Sequence, residues 1–404
     1  MKIAVLTSGI LPIPAVLGGA VENLIDFYLE YNEIHQLHDI TIYSVCHPKT
    51  NNHPAMTSKV NHYHYIDVNS FWAKIKRKLY FYMHGEEYHH YFIEFFLEQS
   101  IKHIRKQNYD CIILENRPSY SLKLRAITDS KLVYHLHNEK LTPKEPFYQD
   151  IYNAASLIIC VSDFITKSVK AINPNDTKCI TIYNGIDLNA FSTKSTCITR
   201  QDLGLNDQDF VLIYSGRINS EKGIKELTQA MNKLNEYPQI KLLVIGSSFF
   251  GNATEDDDFT KELRGCTNNI QNRLFFTGFI PYKEVPTYLK LADLAIVPSM
   301  WDEAFGLTVL EAMAAGIPLI TTRSGGIPEI CENVAYIIDR ENVVDNLADA
   351  IVKLCYHPEI RANMSSRSLN RAHQFSKEKY AESFFNALED IDDYSCRNAN
   401  KCQT

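Results

Sequence analysis

The chain has 404 residues, of which 45% are hydrophobic and 22% are charged, and its formal net charge is -7. This length suits one large domain or two ordinary ones, and the composition is typical of globular proteins. The negative charge excludes nucleic-acid binding that depends on overall basicity. We expect a cytoplasmic protein, because no apolar run could span a membrane and the first residues do not resemble a secretion signal. We expect its ten cysteines, which include no Cys-x-x-Cys pair, to be reduced thiols.

The first half of the chain alternates between predicted strands and predicted helices. The strands are nearly continuous runs of Val, Ile and Leu, which favours a parallel sheet with helices on both faces. They cover residues 2–7, 40–45, 62–66, 111–115, 132–136, 157–161 and 179–182, and helices between them include 20–31, 86–106 and 164–171. Turn residues at 184–187 and a polar run at 192–200 then interrupt the pattern, so we place a domain boundary near residue 190.

The second half repeats the alternation. Strands are predicted at 210–214, 241–245, 274–277, 294–299, 319–321 and 335–338, and helices at 223–234, 259–263, 285–291, 309–315 and 343–355. The predicted class is α/β, with two doubly wound Rossmann-like domains, 1–190 and 191–375, that face each other across a cleft. An amphipathic helix at 376–391 and a disordered polar tail at 392–404 follow. Ligands of such sheets bind at the C-terminal ends of the strands.

One segment of the second half joins a predicted strand to a predicted helix and carries two carboxylates. Glu303 lies in the loop, and Glu311 lies between one and two turns into the helix that begins after Gly306. The N–H groups of Gly306, Leu307 and Thr308 are the unpaired donors of the helix start, where the helix dipole also attracts anions. These features predict a site for a phosphorylated, hydroxyl-rich ligand.

Two cations follow the first strand of the second half. Arg217 comes just after this strand, and Lys222 precedes the next predicted helix. An arginine grips two oxygens at once and a lysine supplies a point charge, so the pair suits a diphosphate. Taken alone, the pair fits a solvated surface loop better. The carboxylates and the helix start in the same domain favour the phosphate hypothesis.

Two glycines, Gly18 and Gly19, follow a long loop after the first strand and precede a predicted helix. Glycines there let the backbone approach a ligand closely, although a plain turn is the alternative. Their spacing differs from the dinucleotide fingerprint Gly-x-Gly-x-x-Gly, which argues against a nicotinamide-dependent oxidoreductase.

Two histidines, His135 and His137, close a predicted strand of the first sheet. Side chains two residues apart in a strand share one face, but no third ligand lies nearby in the sequence, so a metal site is disfavoured. We predict that His137 forms hydrogen bonds with a ligand. A buried histidine with partners inside the protein is the alternative.

Residues 71–84 combine four cations with aromatic side chains, and their apolar members follow helical spacing. A basic amphipathic helix fits a membrane surface or a lipid-linked substrate. A helix with its apolar face on the core and its charges in solvent fits the same pattern, and the sequence alone favours this second interpretation.

The order of these motifs resembles that of the retaining GT-B glycosyltransferases of the glycosyl transferases group 1 type. This family includes glycogen-synthase-like enzymes and bacterial mannosyl- and glucosyltransferases. Within it, the chain is most similar to members that act in bacterial spore coats and cell-surface polysaccharides. Each match is weak alone, but together they run in the family's order across nearly the whole chain. The matches are Pro12-x-Pro14, Gly18-Gly19-Ala20, Asn116-Arg117-Pro118, His137-Asn138-Glu139, Val161-Ser162, Asn184-Gly185-Ile186-Asp187, Gly216-Arg217, Glu221-Lys222-Gly223, Gly246-Ser247, Glu303-Ala304-Phe305-Gly306 and Glu311-Ala312-Met313-Ala314-Ala315-Gly316.

The resemblance implies roles in the second domain. Arg217 and Lys222 would hold the diphosphate of a nucleotide-sugar donor and stabilise it as it leaves. Glu311 would accept hydrogen bonds from the ribose, and Glu303 would contact hydroxyls of the transferred sugar. Further donor contacts, largely through the backbone, are implied for Gly216, Gly246, Gly278, Phe279, Phe305, Gly306, Leu307 and Thr308.

In the first domain, the resemblance implies that Gly19 lets the domain close over the phosphates. His137 would touch the donor sugar and help to orient the acceptor. Gly18, Glu22 and Asn116 are implied on the acceptor side. The last helix would cross back to the first domain.

The implied activity is metal-independent transfer of a hexose-type sugar, with retention, from a nucleotide diphosphate sugar to a glycan or lipid-linked acceptor. UDP is the expected nucleotide and GDP the next, and the expected context is synthesis of a bacterial surface polysaccharide. No cofactor and no nucleic-acid partner are expected. A peripheral contact of 71–84 with the inner face of the cell membrane is left open. The alternative function is an inactive GT-B-fold protein that binds sugar or has a structural role.

Overall fold

The computed structural model describes residues 1–84, 88–192, 198–246, 258–267 and 269–391. These residues form two compact units. The first contains Met1–Gly185 and the segment that begins at Lys377, and the second contains Ile186–Ser376. Each unit is a parallel sheet with packed helices, which confirms the predicted α/β class with two Rossmann-like domains. The domain limits expected from the sequence are residues 190 and 375, and the predicted tail at 392–404 lies outside the described residues.

The strands, in chain order, are β1 (Lys2–Leu6), β2 (Asp39–Val45), β3 (Asn61–Ile66), β4 (Cys111–Glu115), β5 (Lys131–Leu136), β6 (Leu157–Cys160), β7 (Cys179–Thr181), β8 (Phe210–Ser215), β9 (Ile240–Ile245), β10 (Leu274–Gly278), β11 (Leu294–Val297), β12 (Leu319–Thr322) and β13 (Tyr336–Ile338). The helices are α1 (Ala20–His35), α2 (Phe71–His84), α3 (Tyr88–Ile104), α4 (Ser121–Leu124), α5 (Tyr148–Ala154), α6 (Asp163–Lys170), α7 (Leu188–Ser192), α8 (Ile224–Lys233), α9 (Asp258–Cys266), α10 (Val285–Leu289), α11 (Leu307–Ala314), α12 (Ile327–Cys331), α13 (Val343–Tyr356), α14 (Pro358–Ala372) and α15 (Lys377–Glu389).

The first unit is built on a seven-stranded sheet in the order β3-β2-β1-β4-β5-β6-β7, with all strands parallel. Every residue of β4 is buried, as expected for a strand with helices on both faces of the sheet. The winding reverses between β1 and β4, where Ile3 pairs with Ile40 on one side and with Cys111 on the other. Sheets of this kind bind ligands beyond the C-terminal strand ends at such a switch point.

The last helix, α15, belongs to the first unit and packs on α1. Tyr28 of α1 stacks on Phe384 with ring centroids 4.6 Å apart, and Phe385 meets Tyr28 edge-on at 6.2 Å. Full burial of an aromatic ring of this size stabilises a fold by roughly 1.5–3 kcal/mol. The segment predicted as a final helix is therefore a core element of the first unit.

The second unit is built on a six-stranded parallel sheet in the order β10-β9-β8-β11-β12-β13. Its switch point lies between β8 and β11, where Leu212 pairs with Leu242 of β9 and with Leu294 of β11. Helices α8 and α13 pack together, with Leu227, Leu347 and other residues in a continuous apolar core.

Every strand predicted from the sequence is present, with ends that differ by at most two residues. Five helices, α4, α5, α7, α12 and α14, are not among those predicted. Helix α14 is largely polar and starts at Pro358, a favoured first helical residue that the apolar pattern does not reveal.

The cysteines among the described residues are free thiols, as expected. Within the same described ranges, no helix is both long and apolar enough to cross a bilayer.

Three apolar side chains of helix α2 are exposed to solvent. Phe71, Trp72 and Leu79 are 71%, 69% and 58% exposed, whereas Ala73 is buried. Lys74 and the other lysines described in this helix are also exposed. The interpretation that the apolar face packs on the core is therefore wrong for these three residues.

Candidate functional site

Three glycines lie at the C-terminal ends of three neighbouring strands of the second sheet. Gly216 follows β8, Gly246 follows β9 and Gly278 is the last residue of β10. The N–H of Gly216 donates to the carbonyl of Ile245 at 3.0 Å, and the N–H of Gly246 donates to the carbonyl of Gly278 at 2.9 Å. A Cβ on Gly246 would lie 1.8 Å from the Gly216 carbonyl oxygen, at a φ of +140°. This edge therefore presents backbone without side chains, and Phe279 beside it is 43% exposed.

The turn after β8 is shaped to reach the end of β11. Its short 3-10 helix ends at Lys222 and is capped by Asn219, whose side-chain oxygen accepts from the Lys222 N–H at 3.2 Å. Gly223 follows with a φ of +69°, and a Cβ there would lie 1.8 Å from the carbonyl oxygen of Pro298. The turn thus packs directly on the residues after β11, and Lys222 reaches the loop that begins there.

Lys222 forms an ion pair with Glu303 in that loop. The Lys222 Nζ lies 2.5 Å from Glu303 Oε1, and the Ser299 hydroxyl donates to the same oxygen at 2.6 Å. The side chains of Lys222 and Glu303 are 23% and 15% exposed, so both are reachable from solvent. An ammonium has three N–H donors, so the bond to Glu303 leaves two for a ligand. Ser299 was not among the predicted site residues, although it is the last residue of the predicted strand 294–299 and lies four positions before Glu303.

The loop around Glu303 is held by backbone contacts. The N–H of Gly326 donates to the Glu303 carbonyl at 2.8 Å, and a Cβ on Gly325 would lie 2.2 Å from the same oxygen. The Ser324 hydroxyl donates to the Ser299 carbonyl at 2.8 Å. The Glu303 carboxylate is therefore positioned by the protein itself, as a binding site requires.

Arg217 is the more accessible of the two predicted cations. Its side chain is half-exposed, and its guanidinium lies 4.0 Å from the Glu221 carboxylate. An exposed pair of this kind contributes at most about 1 kcal/mol to stability. The guanidinium can therefore move to an anionic ligand at little cost.

Helix α11 begins directly after the Glu303 loop. Its N-cap residue is Gly306, with a φ of +103°, and no side chain among the described residues caps this end. Leu307 and Thr308 follow as the first helical residues, so their N–H groups point out of the helix start, where an anion is favoured. The Phe305 ring is buried and lies 6.1 Å from the Phe375 ring, so Phe305 can offer a ligand only its backbone.

Glu311 lies in the second turn of α11 and is 8% exposed. Burial raises the pKa of its carboxyl to about 8. The pKa of the Tyr282 phenol is raised by burial and then by the nearby Glu311 and Asp187 carboxylates. Glu311 is therefore mostly protonated at neutral pH, and it must lose a proton to bind hydroxyls as an anion.

In the first unit, Gly18 and Gly19 lead into α1 and meet Glu22. Gly19 is the N-cap residue, and a Cβ there would lie 2.1 Å from Glu22 Oε2. Gly18 has a φ of +75° with open space at its Cβ position. Burial, and to a smaller extent the charge of Glu115, raise the pKa of the Glu22 carboxyl to about 7. A carboxyl that titrates near neutral pH therefore lies at the start of α1.

Glu115, His135 and His137 form a buried cluster at the ends of β4 and β5. Glu115 pairs in register with His135, so these two side chains and that of His137 share one face of the sheet. Glu115 Oε2 lies 3.0 Å from His135 Nδ1 and 3.0 Å from His137 Nε2. The Tyr28 hydroxyl donates to Glu115 Oε1 at 2.9 Å, and the Asn116 side-chain oxygen accepts from the His137 backbone N–H at 3.2 Å.

Glu115 was not predicted. It is 20 positions from His135 in the sequence, but the sheet brings its carboxylate beside both histidines. The three side chains offer ligand atoms within 4.8 Å of one another, a spacing that a metal ion could use. In the structure these atoms are hydrogen-bonded to one another instead. The signal for Glu115 was its position at the end of a predicted strand, next to the strand that ends in the histidines.

Each of the two parallel-sheet units gathers polar residues at the C-terminal ends of its strands, where sheets of this kind bind ligands. Two family models match the chain: Glycosyltransferase Family 4 over residues 35–190 and Glycosyl transferases group 1 over residues 197–371. The chain belongs to the group 1 glycosyltransferases.

The chain is similar to two proteins of Bacillus subtilis (strain 168). It is 29% identical to the putative glycosyltransferase YtcC, over 91% of this chain and 86% of that protein. It is 27% identical to spore coat protein SA, over 96% of this chain and 99% of that protein. Among solved structures, Anabaena Alr3699/HepE in complex with UDP-glucose has a TM-score of 0.74 at 21% identity, over 96% of this chain and 99% of that one. This last similarity concerns the fold.

Proposed function

We propose that the chain is a retaining, metal-independent glycosyltransferase. It moves a hexose-type sugar from a nucleotide diphosphate sugar, with UDP as the first choice and GDP as the next, to a glycan or lipid-linked saccharide. The observation that carries the proposal is the Lys222–Glu303 ion pair beside the uncapped start of α11. A cation thereby meets an acceptor for hydroxyl groups in the second unit, and a helix N terminus follows that acceptor directly in the chain.

The diphosphate of the donor is assigned to Arg217, Lys222 and the start of α11. Negative charge grows on the diphosphate as the sugar leaves, and fixed positive groups aimed at that charge lower the barrier. Two cations and a helix dipole supply this stabilisation in the proposal without a metal ion. The bare backbone at Gly216 and Gly246 lets the phosphates approach the edge of the sheet.

The sugar is assigned to Glu303 and the nucleoside to Glu311. Because Glu303 Oε1 already accepts from Lys222 and Ser299, its second oxygen is the one proposed for a sugar hydroxyl. Ionised Glu311 would accept from the ribose hydroxyls, and the backbone at Gly278 and Phe279 would meet the base.

In the proposed reaction, the bond between the sugar C1 and the diphosphate oxygen breaks and a bond from C1 to the acceptor oxygen forms. The acceptor's hydroxyl proton passes to the departing phosphate oxygen on the same face of the sugar, which retains the configuration. The products are a nucleoside diphosphate and the lengthened acceptor. Glu303 is not a nucleophile in this scheme, because no bond forms between the sugar C1 and the protein.

In the first unit, His137 is assigned to the donor sugar and to orientation of the acceptor. Gly19 is assigned to close approach of the donor phosphates. Gly18, Glu22 and Asn116 are assigned to the acceptor side. The proposed acceptor is a growing bacterial surface polysaccharide, which is supported by the similarity to spore coat protein SA.

A peripheral membrane contact is also proposed, through the outward face of α2. We define the α2 surface as Phe71, Trp72, Lys74, Lys78 and Leu79, all of them exposed. Exposed aromatic side chains flanked by lysines suit the interface of an anionic bilayer. This contact would bring a lipid-linked acceptor to the enzyme.

The test is a thermal-shift panel of nucleoside diphosphates and nucleotide sugars, followed by turnover assays with the sugars that stabilise the protein. Stabilisation by UDP or GDP but not by nicotinamide dinucleotides, with release of nucleoside diphosphate, is the expected result. The solved UDP-glucose complex of the Anabaena protein supports UDP as the first donor to test. Binding without turnover of any nucleotide sugar would favour the inactive sugar-binding alternative.

A further inference from the structure

We infer that Glu115 is a positioning residue that fixes the proton of His137 on Nε2, so that His137 presents Nδ1 as a hydrogen-bond acceptor. The tautomer of His137 is a property of the protein alone. Its consequence for catalysis rests on the proposed function, in which His137 meets a sugar hydroxyl.

The Glu115 side chain is ionised although it is completely buried. Burial raises the pKa of its carboxyl, but the two imidazoles outweigh burial and lower the pKa to about 2. An ionised carboxylate has no proton to donate. Each group that contacts Glu115 must therefore donate to it, and these groups are the Tyr28 hydroxyl, His135 Nδ1 and His137 Nε2.

These contacts determine which ring nitrogen of His137 carries hydrogen. Burial and the neighbouring His135 lower the pKa of His137 to about 4, so its imidazole is neutral at physiological pH. A neutral imidazole has a single N–H. Since Nε2–H donates to Glu115, Nδ1 has no hydrogen and can only accept.

His135 completes the arrangement from the core side. Its Nε2 is buried and has no hydrogen-bond partner within the described residues, so a hydrogen there would lack an acceptor. The Nδ1–H tautomer, which donates to Glu115, avoids this loss. Its ring lies 5.2 Å from Phe384 and 4.1 Å from His137, so both rings are held by packing as well as by the carboxylate.

Glu115→Leu would remove this control, because leucine offers no acceptor to either imidazole. A hydrogen on His137 Nε2 would then be buried without a partner, which disfavours the Nε2–H tautomer. The hydrogen of His137 should therefore move toward Nδ1, and the proposed acceptor of a sugar hydroxyl is lost.

The direct test is nitrogen-15 NMR of histidine-labelled protein, with the His137 signal assigned by its absence in His137→Gln. Wild type should show the Nε2–H tautomer of His137 from about pH 6 to 8. Glu115→Leu should shift His137 toward Nδ1–H. Tyr134→Phe is the control, because it removes a buried 2.7 Å hydrogen bond to the Ile151 carbonyl from the same strand without touching the cluster. An Nδ1–H or doubly protonated His137 in wild type would overturn the inference, and so would one metal ion per purified chain.

The catalytic consequence is tested by a double-mutant cycle. Glu115→Leu should lower kcat by roughly 10- to 100-fold with little change in donor KM, as for a misoriented group. In a His137→Ala background the same change should have almost no further effect, because Glu115 acts through His137. Equal losses in both backgrounds would overturn the positioning role. If wild type turns over no nucleotide sugar, the proposed function fails, while the NMR result still decides the tautomer.

Discussion

Lys222 and Glu303 are 81 positions apart in the chain, and their side chains meet at 2.5 Å in the second unit. This contact depends on Gly223, where a Cβ would lie 1.8 Å from the Pro298 carbonyl oxygen, and on the Ser299 hydroxyl. In the proposed function, this ion pair places the group assigned to phosphate next to the group assigned to sugar hydroxyls.

Glu303→Gln separates these two tasks. We expect kcat/KM for the donor to fall by about 100-fold, because the sugar contact that strengthens as charge develops is lost. Binding of free UDP should be unchanged or tighter, because Lys222 is no longer neutralised. Titration calorimetry with UDP and a turnover assay measure the two effects. Glu332→Gln, an exposed carboxylate paired with Arg323, is the control, and an equal loss of UDP binding in Glu303→Gln would contradict the assignment.

Nucleotide binding should release protons through Glu311. Its carboxyl has a pKa of about 8 when buried without ligand. If the ribose binds the ionised form, affinity for UDP should rise with pH and level off above about pH 8, the free-state pKa. Calorimetry in buffers of different ionisation enthalpy measures the released protons.

In the Glu311→Gln variant the proton release should disappear, and UDP should bind roughly 10- to 100-fold more weakly.

The raised pKa of Glu311 also predicts how the stability of the fold depends on pH. A carboxyl whose pKa is raised by folding destabilises the fold increasingly as pH rises from its unfolded value of 4.5 toward about 8. The melting temperature of Glu311→Gln relative to wild type should therefore be higher at pH 8 than at pH 5. A pH-independent difference would show that Glu311 is not the titrating group.

Gly246→Ala should damage the edge of the second sheet. The new Cβ would meet the Gly216 carbonyl oxygen at 1.8 Å, at a φ that alanine rarely adopts. We expect the free energy of unfolding to fall by about 1–3 kcal/mol or more. The melting temperature should be lower and UDP binding weaker. Gly265→Ala in α9 is the matched control, because no atom lies within 4 Å of its Cβ position. The control should be neutral or slightly stabilising.

The α2 surface should bind anionic vesicles. Replacing Lys74 and Lys78 together with alanine should weaken binding about 5-fold per lysine, measured by co-sedimentation at low salt. Phe71→Ala should also weaken it, whereas Phe147→Ala, at a similarly exposed phenylalanine of the first unit, should not. Unchanged binding in the lysine and Phe71 variants would remove the membrane contact from the proposal.

The sheets were predictable because buried parallel strands are marked by apolar runs with turn residues between them. Helix α14 was not, since its sequence is largely polar and only Met364, Ser368 and Ala372 are buried, so no apolar pattern marks it. The sequence also predicted that the cations Arg217 and Lys222 and the carboxylate of Glu303 belong to a ligand site. Their pairing was not predicted, because it arises from a turn that packs on a strand far away in the chain.

Glu115 shows the same limit in the first unit. The sequence predicted the strand that ends at Glu115 and the strand that contains His135. It did not predict that these strands are neighbours, or that Glu115 pairs with His135, because both depend on how the sheet is assembled. Only the register places the carboxylate on the face shared by the two histidines. Likewise, helical spacing in α2 was visible, but the direction of its apolar face depends on where Ala73 packs.

The central claim is that Lys222 serves sugar transfer from a nucleotide diphosphate sugar, and steady-state release of nucleoside diphosphate tests it most directly. Wild type should turn over at least one UDP- or GDP-sugar, and Lys222→Ala should lose at least about 100-fold in kcat/KM. Lys225→Ala, which removes a nearby lysine paired with Glu262 at 2.6 Å, should retain wild-type turnover. Full activity in folded Lys222→Ala, or no turnover of any nucleotide sugar by wild type, would contradict the account.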